Sequence, residues 1–279
     1  MQDGWSESQK EKVDAFLSYV DKKRDLSEVE TRTRALSLFR EYFRKLQLDL
    51  GRTPEVEEMF PVAPEIIIEG ILKVNYLEPE TISADNLADI ASGDSEIAGL
   101  IDRENNKVVI AKQFKLEWRR FTAAHEIGHW LLHPNVIYLR ERPAVRRSIA
   151  SRNSIRLRER PVTGNELAYS KRTPEERQAD LFAAELLMPT FHLVKTFFHR
   201  FGGAIDGTKP NEELAFWLST SHKREIDAYD LPKWRLRDRS QLIAQVSSYG
   251  GRHFTPLYKR YGVSTTAMAI QLEDLGLVR

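Results

Sequence analysis

Apolar residues recur at helical spacing through the first fifty residues of the chain. Val13–Val20 and Leu36–Leu46 each carry an apolar stripe, and charged residues fill the other faces. This periodicity predicts two amphipathic helices between about residues 6 and 50. Ser6 followed by Gln9 predicts a capping box at the first N-terminus. The pattern favours helices that pack on the rest of the protein, and a partner-binding arm is the alternative.

Short apolar runs replace this pattern after Pro61, Pro64 and Gly70. Runs of this length that are rich in Ile and Val and bounded by polar residues are typical of strands. The polar segment Arg103-Glu-Asn-Asn predicts a hairpin loop between the second and third of them. The predicted strands are Ile71-Leu-Lys-Val-Asn-Tyr, Ile97-Ala-Gly-Leu-Ile-Asp and Lys107-Val-Val-Ile-Ala.

Helical patterns return in three later segments. Leu116–His133 and Pro174–Met188 are each followed by a proline, which favours helix termination at that point. Pro174 is tolerated because it falls in the first turn of its helix. Residues 241–279 predict helices joined by a glycine-containing turn, with Ser264 as the N-cap of the second helix in that turn motif.

The composition limits the chemistry that the chain can perform. Hydrophobic residues make up 41% and charged residues 30%, as in a globular protein. The chain has no cysteine, so a metal site would have to use His, Asp or Glu. The net charge of +1 argues against a chain that binds polyanions as a whole. No apolar run reaches the roughly 18 residues of a membrane span, and the N-terminal residues do not resemble a signal peptide. We therefore expect a cytoplasmic protein without a membrane partner.

The motif His125-Glu126-Ile127-Gly128-His129 carries the clearest chemistry. On a helix, two histidines four residues apart lie on one face and can bind one metal ion. Glu126 is then placed to take a proton from a water molecule that the metal activates. The sequence therefore predicts a metal site with His125 and His129 as ligands and Glu126 as the catalytic base.

A third ligand is expected on the helix predicted at Pro174–Met188, because zinc sites of this kind use three protein ligands. Glu176 and Asp180 are one turn apart there. We predict Glu176 as the ligand and Asp180 as the acceptor of a ligand histidine's free N–H. Glu175 and Glu185 are the competing candidates for the ligand role.

His133 continues the four-residue series, but three such positions span about 12 Å of helix, which one ion cannot bridge. We interpret His133 as a C-terminal residue that satisfies late helix carbonyls. One of the remaining histidines or Tyr169 could stabilise an oxyanion, and the sequence does not choose among them. The remaining histidines are His192, His199, His222 and His253.

Three stretches of the chain resemble the ImmA/IrrE metallopeptidases. They are Ile97–Asp102 continuing through Arg120–His133, then Glu176–Pro189, and the helical segment Tyr261–Leu277. The resemblance implies that His125, His129 and Glu176 bind zinc and that Glu126 is the general base.

The same resemblance implies a bacterial or mobile-element regulator. Such proteins cleave a helix-turn-helix repressor, often encoded next door, and so switch on genes for stress response or element transfer. Some relatives serve instead in toxin–antitoxin or phage-defence modules.

The segment 138–175 departs from the resemblance, because it makes the separation between His129 and Glu176 longer than the family pattern. Arg140–Arg160 is rich in arginine and poor in acids. We predict a long surface insertion near the cleft that bears on substrate choice. A solvated or partner-docking loop is favoured over a nucleic-acid contact, because it lacks interleaved aromatic residues for base stacking.

We predict an α+β fold. It has a zincin-like metallopeptidase core with a small mixed sheet, an N-terminal helical extension and a C-terminal helix-turn-helix-like unit. The expected boundaries are 1–60 for the extension, 61–200 for the core with its insertion at 138–175, and 201–279 for the C-terminal unit. The last predicted helix carries Glu273 and Asp274 but no Arg or Lys, so packing or repressor recognition is favoured over DNA reading.

Two classes of function fit these observations. The first is a zinc-dependent endopeptidase that acts on a protein substrate, expected to be a helix-turn-helix repressor encoded nearby. The second is a non-catalytic, metal-containing regulator or antitoxin-like module that binds a partner protein. Glu126 favours the enzyme, because a purely structural metal site has no use for it. Zinc is the expected ion, and nitrogen and oxygen ligands also admit manganese.

Overall fold

A computed structural model describes residues 5–82, 98–134 and 173–279 of the chain. Two compact units are present, one formed by Met1–Val29 with Met188–Arg279 and the other by Glu30–Leu187. Nearly all of the predicted insertion at 138–175 lies outside the described residues. The predicted domain boundaries stay a prediction.

The Glu30–Leu187 unit combines helices with a small sheet. A short 3-10 turn and a π-helical turn separate its first helix from its first strand. In chain order the elements are α2 (Leu26–Leu50, following α1 at Glu7–Lys22), the 3-10 turn (Val56–Met59), the π-helical turn (Ile66–Ile71), β1 (Asn75–Leu77), β2 (Gly99–Asp102), β3 (Lys107–Ile110), α3 (Leu116–Leu132) and α4 (Pro174–Leu187).

The sheet of this unit is small and mixed, as predicted. Strand β3 is central, with β1 parallel on one side and β2 antiparallel on the other. The hairpin loop was also predicted correctly, since a turn follows β2 in which the amide of Asn106 donates to the carbonyl of Arg103 at 3.2 Å.

The prediction of a strand from Ile71 was wrong over its first four residues. Strand β1 starts only at Asn75, and Ile66–Ile71 forms the π-helical turn. Ile67 and Ile68 are fully buried in this turn, and their carbonyls accept from the amides of Leu72 and Val74 at 2.9 Å. A short run of buried β-branched residues has no periodicity that separates strand from helix. The sequence pattern therefore could not distinguish a strand from this buried helical turn.

The two faces of the sheet have different roles. Leu100 packs with Ile82 and Ala111 in a cluster on one face. Successive residues of a strand point to opposite faces, so Gly99 lies on the other face, next to Ile110 of β3. A Cβ on Gly99 would lie 2.5 Å from Cγ2 of Thr122, which shows that α3 packs directly against this face.

Helices α3 and α4 form the centre of the unit, and both were predicted at nearly their observed bounds. Every residue of α3 from Thr122 to His129 is buried. The helices cross at Gly128, where an added Cβ would lie 3.1 Å from Cα of Ala179 and 3.2 Å from Cβ of Phe182. Only a glycine allows this close approach without displacing α4.

The second unit is mainly helical. Its first helix, α1, has the predicted capping box of Ser6 and Gln9, and its Phe16 ring lies 5.1 Å from that of Phe198. The further elements are α5 (Thr190–Phe201), α6 (Glu212–His222), α7 (Leu236–Gln245), the hairpin β4 (Ser248–Tyr249) and β5 (Arg252–His253), α8 (Leu257–Tyr261) and α9 (Thr265–Asp274). No single helix among the described residues is long and apolar enough to cross a membrane, and α4 and α5 meet that criterion only when taken together.

Helices α8 and α9 are joined by the predicted glycine turn. Gly262 has a φ of 62°, and Ser264 caps α9 by accepting from the amide of Ala267. A polar residue of α9 contacts α7, because Glu273 accepts two hydrogen bonds of 2.8 and 2.9 Å from Arg237. Within α9 only Asp274 is exposed, so the helix offers little surface to a DNA groove. The helix-turn-helix-like assignment stays a prediction.

The crossing at Gly128 generates a first prediction. In an open helix, Gly→Ala stabilises by up to about 1 kcal/mol. Here Gly128→Ala must push α4 away from α3, and overpacking of this kind costs about 1–3 kcal/mol. We expect a lower free energy of unfolding in urea for the metal-free variant. Gly203→Ala is the control, because no atom lies within 4 Å of its added Cβ; equal stability of both variants would contradict the close crossing.

Candidate metal centre

Helix α3 presents both histidines of the motif from a buried stretch. His125 and His129 are 2% and 4% exposed, and their ring centroids are 4.6 Å apart. The C-terminal end of this helix is held by Arg103, whose Nη2 donates to the carbonyls of His129 and Trp130 at 2.9 Å. The guanidinium also lies 4.6 Å from the centroid of the Trp130 ring. The helix end next to His129 is therefore fixed by the turn that follows β2.

Three ligand-type side chains meet between α3 and α4. The Nε2 atoms of His125 and His129 are 2.9 Å apart, and they lie 3.4 and 3.3 Å from the carboxylate oxygens of Glu176. These three residues form a group that could hold a metal ion. A tetrahedral zinc ion with bonds of about 2.0–2.1 Å would place its ligand atoms about 3.3 Å apart, so the arrangement fits such an ion.

The two competing glutamates lie outside this group. Glu185 is fully buried, and it accepts a 2.5 Å hydrogen bond from Nη1 of Arg32. This pairing compensates a buried charge and occupies the carboxylate. Glu175 lies in the first turn of α4, where hydrogen bonds from its own backbone N–H and from Thr173 lower its pKa. The structure thus places Glu176, and neither competitor, with the histidines.

Each histidine of the group has a hydrogen-bond partner on its other ring nitrogen. Nδ1 of His125 lies 2.8 Å from Oδ1 of Asp180. A carboxylate can only accept in this contact, so Nδ1 carries the proton and Nε2 keeps its lone pair. Asp180 therefore contacts His125, the candidate ligand beside which the sequence placed it.

The second histidine contacts His133, which has a further role beyond the predicted one. His133 is the C-cap of α3, as predicted, and its backbone N–H donates to the carbonyl of His129 at 3.1 Å. Arg103 also donates to late carbonyls, including that of His133 at 3.3 Å. The His133 ring lies between His129, with 3.2 Å between their Nδ1 atoms, and Oε1 of Gln178, at 2.8 Å from Nε2. Its position one turn after His129 and opposite α4 was the signal that could have suggested this contact.

Burial lowers the pKa of His129 below its ordinary value, and the nearby His125 acts in the same direction. The carboxylates of Glu176 and Glu126 oppose this shift without cancelling it. A lowered pKa keeps the imidazole neutral at moderately acidic pH. Neutral imidazole is the form that binds a metal, so fewer protons compete for this position.

Glu126 is buried beside this group of candidate ligands. It is 4% exposed, and its Oε1 lies 3.3 Å from where a Cβ on Gly99 would be. Strand β2 therefore approaches the carboxylate closely, and the absence of a side chain at Gly99 leaves it room. Neither the hydrophobic pattern nor the motif predicted this role for Gly99, which lies 27 residues upstream of Glu126 in another element.

The structure assigns an oxyanion-stabilising role to none of the residues that the sequence left open for it, which are four histidines and Tyr169. His192 lies 2.7 Å from the Tyr261 hydroxyl, His199 stacks on Trp5, and His222 contacts the Leu242 carbonyl. These contacts all lie within the unit that contains those histidines. His253 is exposed in β5, and Tyr169 lies outside the described residues.

Residues 88–201 match the family model Peptidase_M78, described as the IrrE N-terminal-like domain. The matched range is about two fifths of the chain, and it includes His125, His129 and Glu176. The resemblance to ImmA/IrrE proteins is thereby confirmed for this part. A comparison with curated proteins found no significant match.

The ligand arrangement in this Peptidase_M78 domain gives a second prediction. Glu176→Gln removes the charge and one metal-binding oxygen, so metal content after purification should fall from about one divalent ion per chain toward none. Glu175→Gln is the matched control from the same turn and should keep its metal. Both contents are measured by elemental analysis. Equal loss in both variants, or in neither, would show that Glu176 is not a ligand.

Proposed function

We propose that this protein is a zinc-dependent endopeptidase. The observation that carries the proposal is the convergence of His125, His129 and Glu176 beside the buried carboxylate of Glu126. A metal site that only stabilises a fold is closed by its ligands and needs no adjacent base. The family match to a peptidase domain supports the same reaction class.

The donor set suits zinc, since two imidazoles and one carboxylate are common ligands of catalytic zinc ions. Manganese remains compatible with nitrogen and oxygen ligands. When bound, the ion supplies Lewis acidity, which polarises a peptide carbonyl and makes a water molecule easier to deprotonate.

Residues of the chain supply the proton transfers and the positioning that the reaction also requires. Glu126 accepts a proton from the attacking water, whose oxygen bonds to the carbonyl carbon. The C–N bond breaks, and the proton passes from Glu126 to the leaving amine, so one water is consumed for each bond cleaved. Asp180 accepts a hydrogen bond from Nδ1 of His125 and so fixes the orientation of the His125 ring.

Strand β2 is the element that we propose for guiding the substrate. It pairs with β3 on one side and is an edge of the sheet within the described residues. An extended peptide can add to such an edge through backbone hydrogen bonds. Gly99 on this strand borders Glu126, so a peptide there would lie next to the base.

We propose a protein substrate, and the resemblance favours a helix-turn-helix repressor encoded nearby. Cleavage of a repressor would make the protein a regulator of transcription, in stress response, in a mobile element or in phage defence. The alternative is a non-catalytic regulator or antitoxin-like module that binds the same partner without cutting it. The two differ in their dependence on Glu126.

The third prediction separates these functions. Glu126→Gln keeps the shape of the side chain and removes the base, so zinc should stay bound while cleavage falls about 10²–10⁴-fold. The assay incubates zinc-loaded protein with a proteome-derived peptide library and counts new termini by mass spectrometry. The repressor encoded next to the gene is tested in parallel for cleavage and for binding.

A binding-only function gives a different result. If metal-loaded Glu126→Gln relieves repression as well as the wild type, catalysis is not the function. If wild type and variant both leave the library and the repressor intact while the repressor binds, the non-catalytic module replaces the peptidase. Loss of cleavage with retained binding in the variant supports the enzyme.

The fourth prediction tests whether the space between Gly99 and the side chains of Thr122 and Glu126 is too small for a Cβ. A Cβ there would lie 2.5 Å from Thr122 and 3.3 Å from Glu126, so Gly99→Ala must displace one of them. A misplacement of about 1 Å at a reacting group costs on the order of 10²-fold in rate. We expect that loss in the library assay with metal content unchanged. Gly203→Ala serves as the control, and full activity of Gly99→Ala would exclude a close approach of β2.

A further inference from the structure

We propose that His133 and Gln178 are positioning residues that hold the His129 ring in its metal-binding tautomer. The inference deepens the proposed function and rests on it, because the tautomer matters only if His129 binds a metal. The contacts that carry it join three successive turns of α3 to the second turn of α4.

The direction of the hydrogen bonds follows from the outermost residue. The contact of Gln178 is made by Oε1, which can only accept, so Nε2 of His133 carries the proton. A neutral imidazole with a proton on Nε2 has a lone pair on Nδ1. That Nδ1 lies 3.2 Å from Nδ1 of His129 and accepts its proton.

The consequence for His129 is a single usable lone pair, on Nε2. This atom is the one that lies 2.9 Å from Nε2 of His125 and 3.3 Å from Glu176. The alternative tautomer would place a proton between these ligand atoms and exclude a metal. The contact with His133 therefore selects the form that the metal centre requires.

Burial makes this selection effective. His129 and His133 are 4% and 8% exposed, so water has little access to take the place of either ring. His133 itself is not a third histidine ligand, since the group of ligand-type atoms that could hold a metal contains His125, His129 and Glu176. Its Nδ1 is directed at His129, and its Nε2 at Gln178.

The two ligand histidines thus have different kinds of partner on their other ring nitrogens. Asp180 gives His125 a charged acceptor, whereas His133 and Gln178 give His129 a neutral one.

The test compares variants that keep or remove each acceptor. His133→Asn retains an acceptor near the position of Nδ1, and His133→Leu does not. Gln178→Glu and Gln178→Leu form the corresponding pair for the outer residue, which is only half-buried and so tolerates change. His253→Leu in exposed strand β5 controls for the loss of a histidine as such.

Zinc affinity is measured by competition with a chromophoric chelator, without any substrate. Loss of a partner to a metal-binding histidine typically lowers affinity 10–100-fold. We expect that decrease in both leucine variants, recovery in His133→Asn and Gln178→Glu, and wild-type affinity in His253→Leu. Wild-type affinity in both leucine variants would overturn the inference, and equal losses in each conservative and leucine pair would show a role in packing only.

The tautomer is observed directly by long-range ¹H–¹⁵N NMR of the histidine-labelled, zinc-loaded protein. His129 should show a protonated Nδ1 in the wild type and in His133→Asn, with the Nδ1–H signal lost or exchange-broadened in His133→Leu. If His133→Leu does not fold, the milder Gln178 pair decides. A wild type that shows this pattern but cleaves no peptide would refute the peptidase proposal and leave the positioning role intact.

Discussion

The close crossing of α3 and α4 at Gly128 is the constraint on which the candidate site depends. A Cβ at position 128 would lie only 3.1 Å from Cα of Ala179, so the two helices pack here without a side chain of α3 between them. This approach brings Glu176 of one helix within 3.4 Å of the histidine nitrogens of the other. A wider crossing would separate the ligands even if each helix kept its own geometry.

Near this crossing, contacts from other elements hold both helices. Arg103 holds the end of α3, and Arg32 compensates the charge of Glu185 on α4. Breaking such a buried pair by removing one partner is strongly destabilising, because it leaves an unpaired charge. These contacts connect the sheet turn and α2 to the two helices that carry the ligands, so the geometry of the centre is held by the unit as a whole.

Electrostatics favour a cation between the helices. The carboxylates of Glu126, Glu176 and Asp180 lie close to two histidines, and burial keeps the pKa of His129 low. A group of carboxylates beside a histidine whose pKa is lowered favours a bound cation. This balance supports a metal ion in the site, and the adjacent Glu126 together with the family match is why the peptidase proposal is preferred to a non-catalytic, metal-containing module.

The sequence alone determined what depends on local periodicity and on motif chemistry. Helices α3 and α4, the capping box at Ser6, the small mixed sheet and the candidate ligands all follow from spacing and residue type. What it left open are contacts between elements distant in the chain. The packing of Gly99 against Glu126, the pairing of Glu185 with Arg32 and the relay from His129 to Gln178 join such elements. Only the tertiary structure decides these, because periodicity reports which face of an element is buried and carries no information about what that face meets.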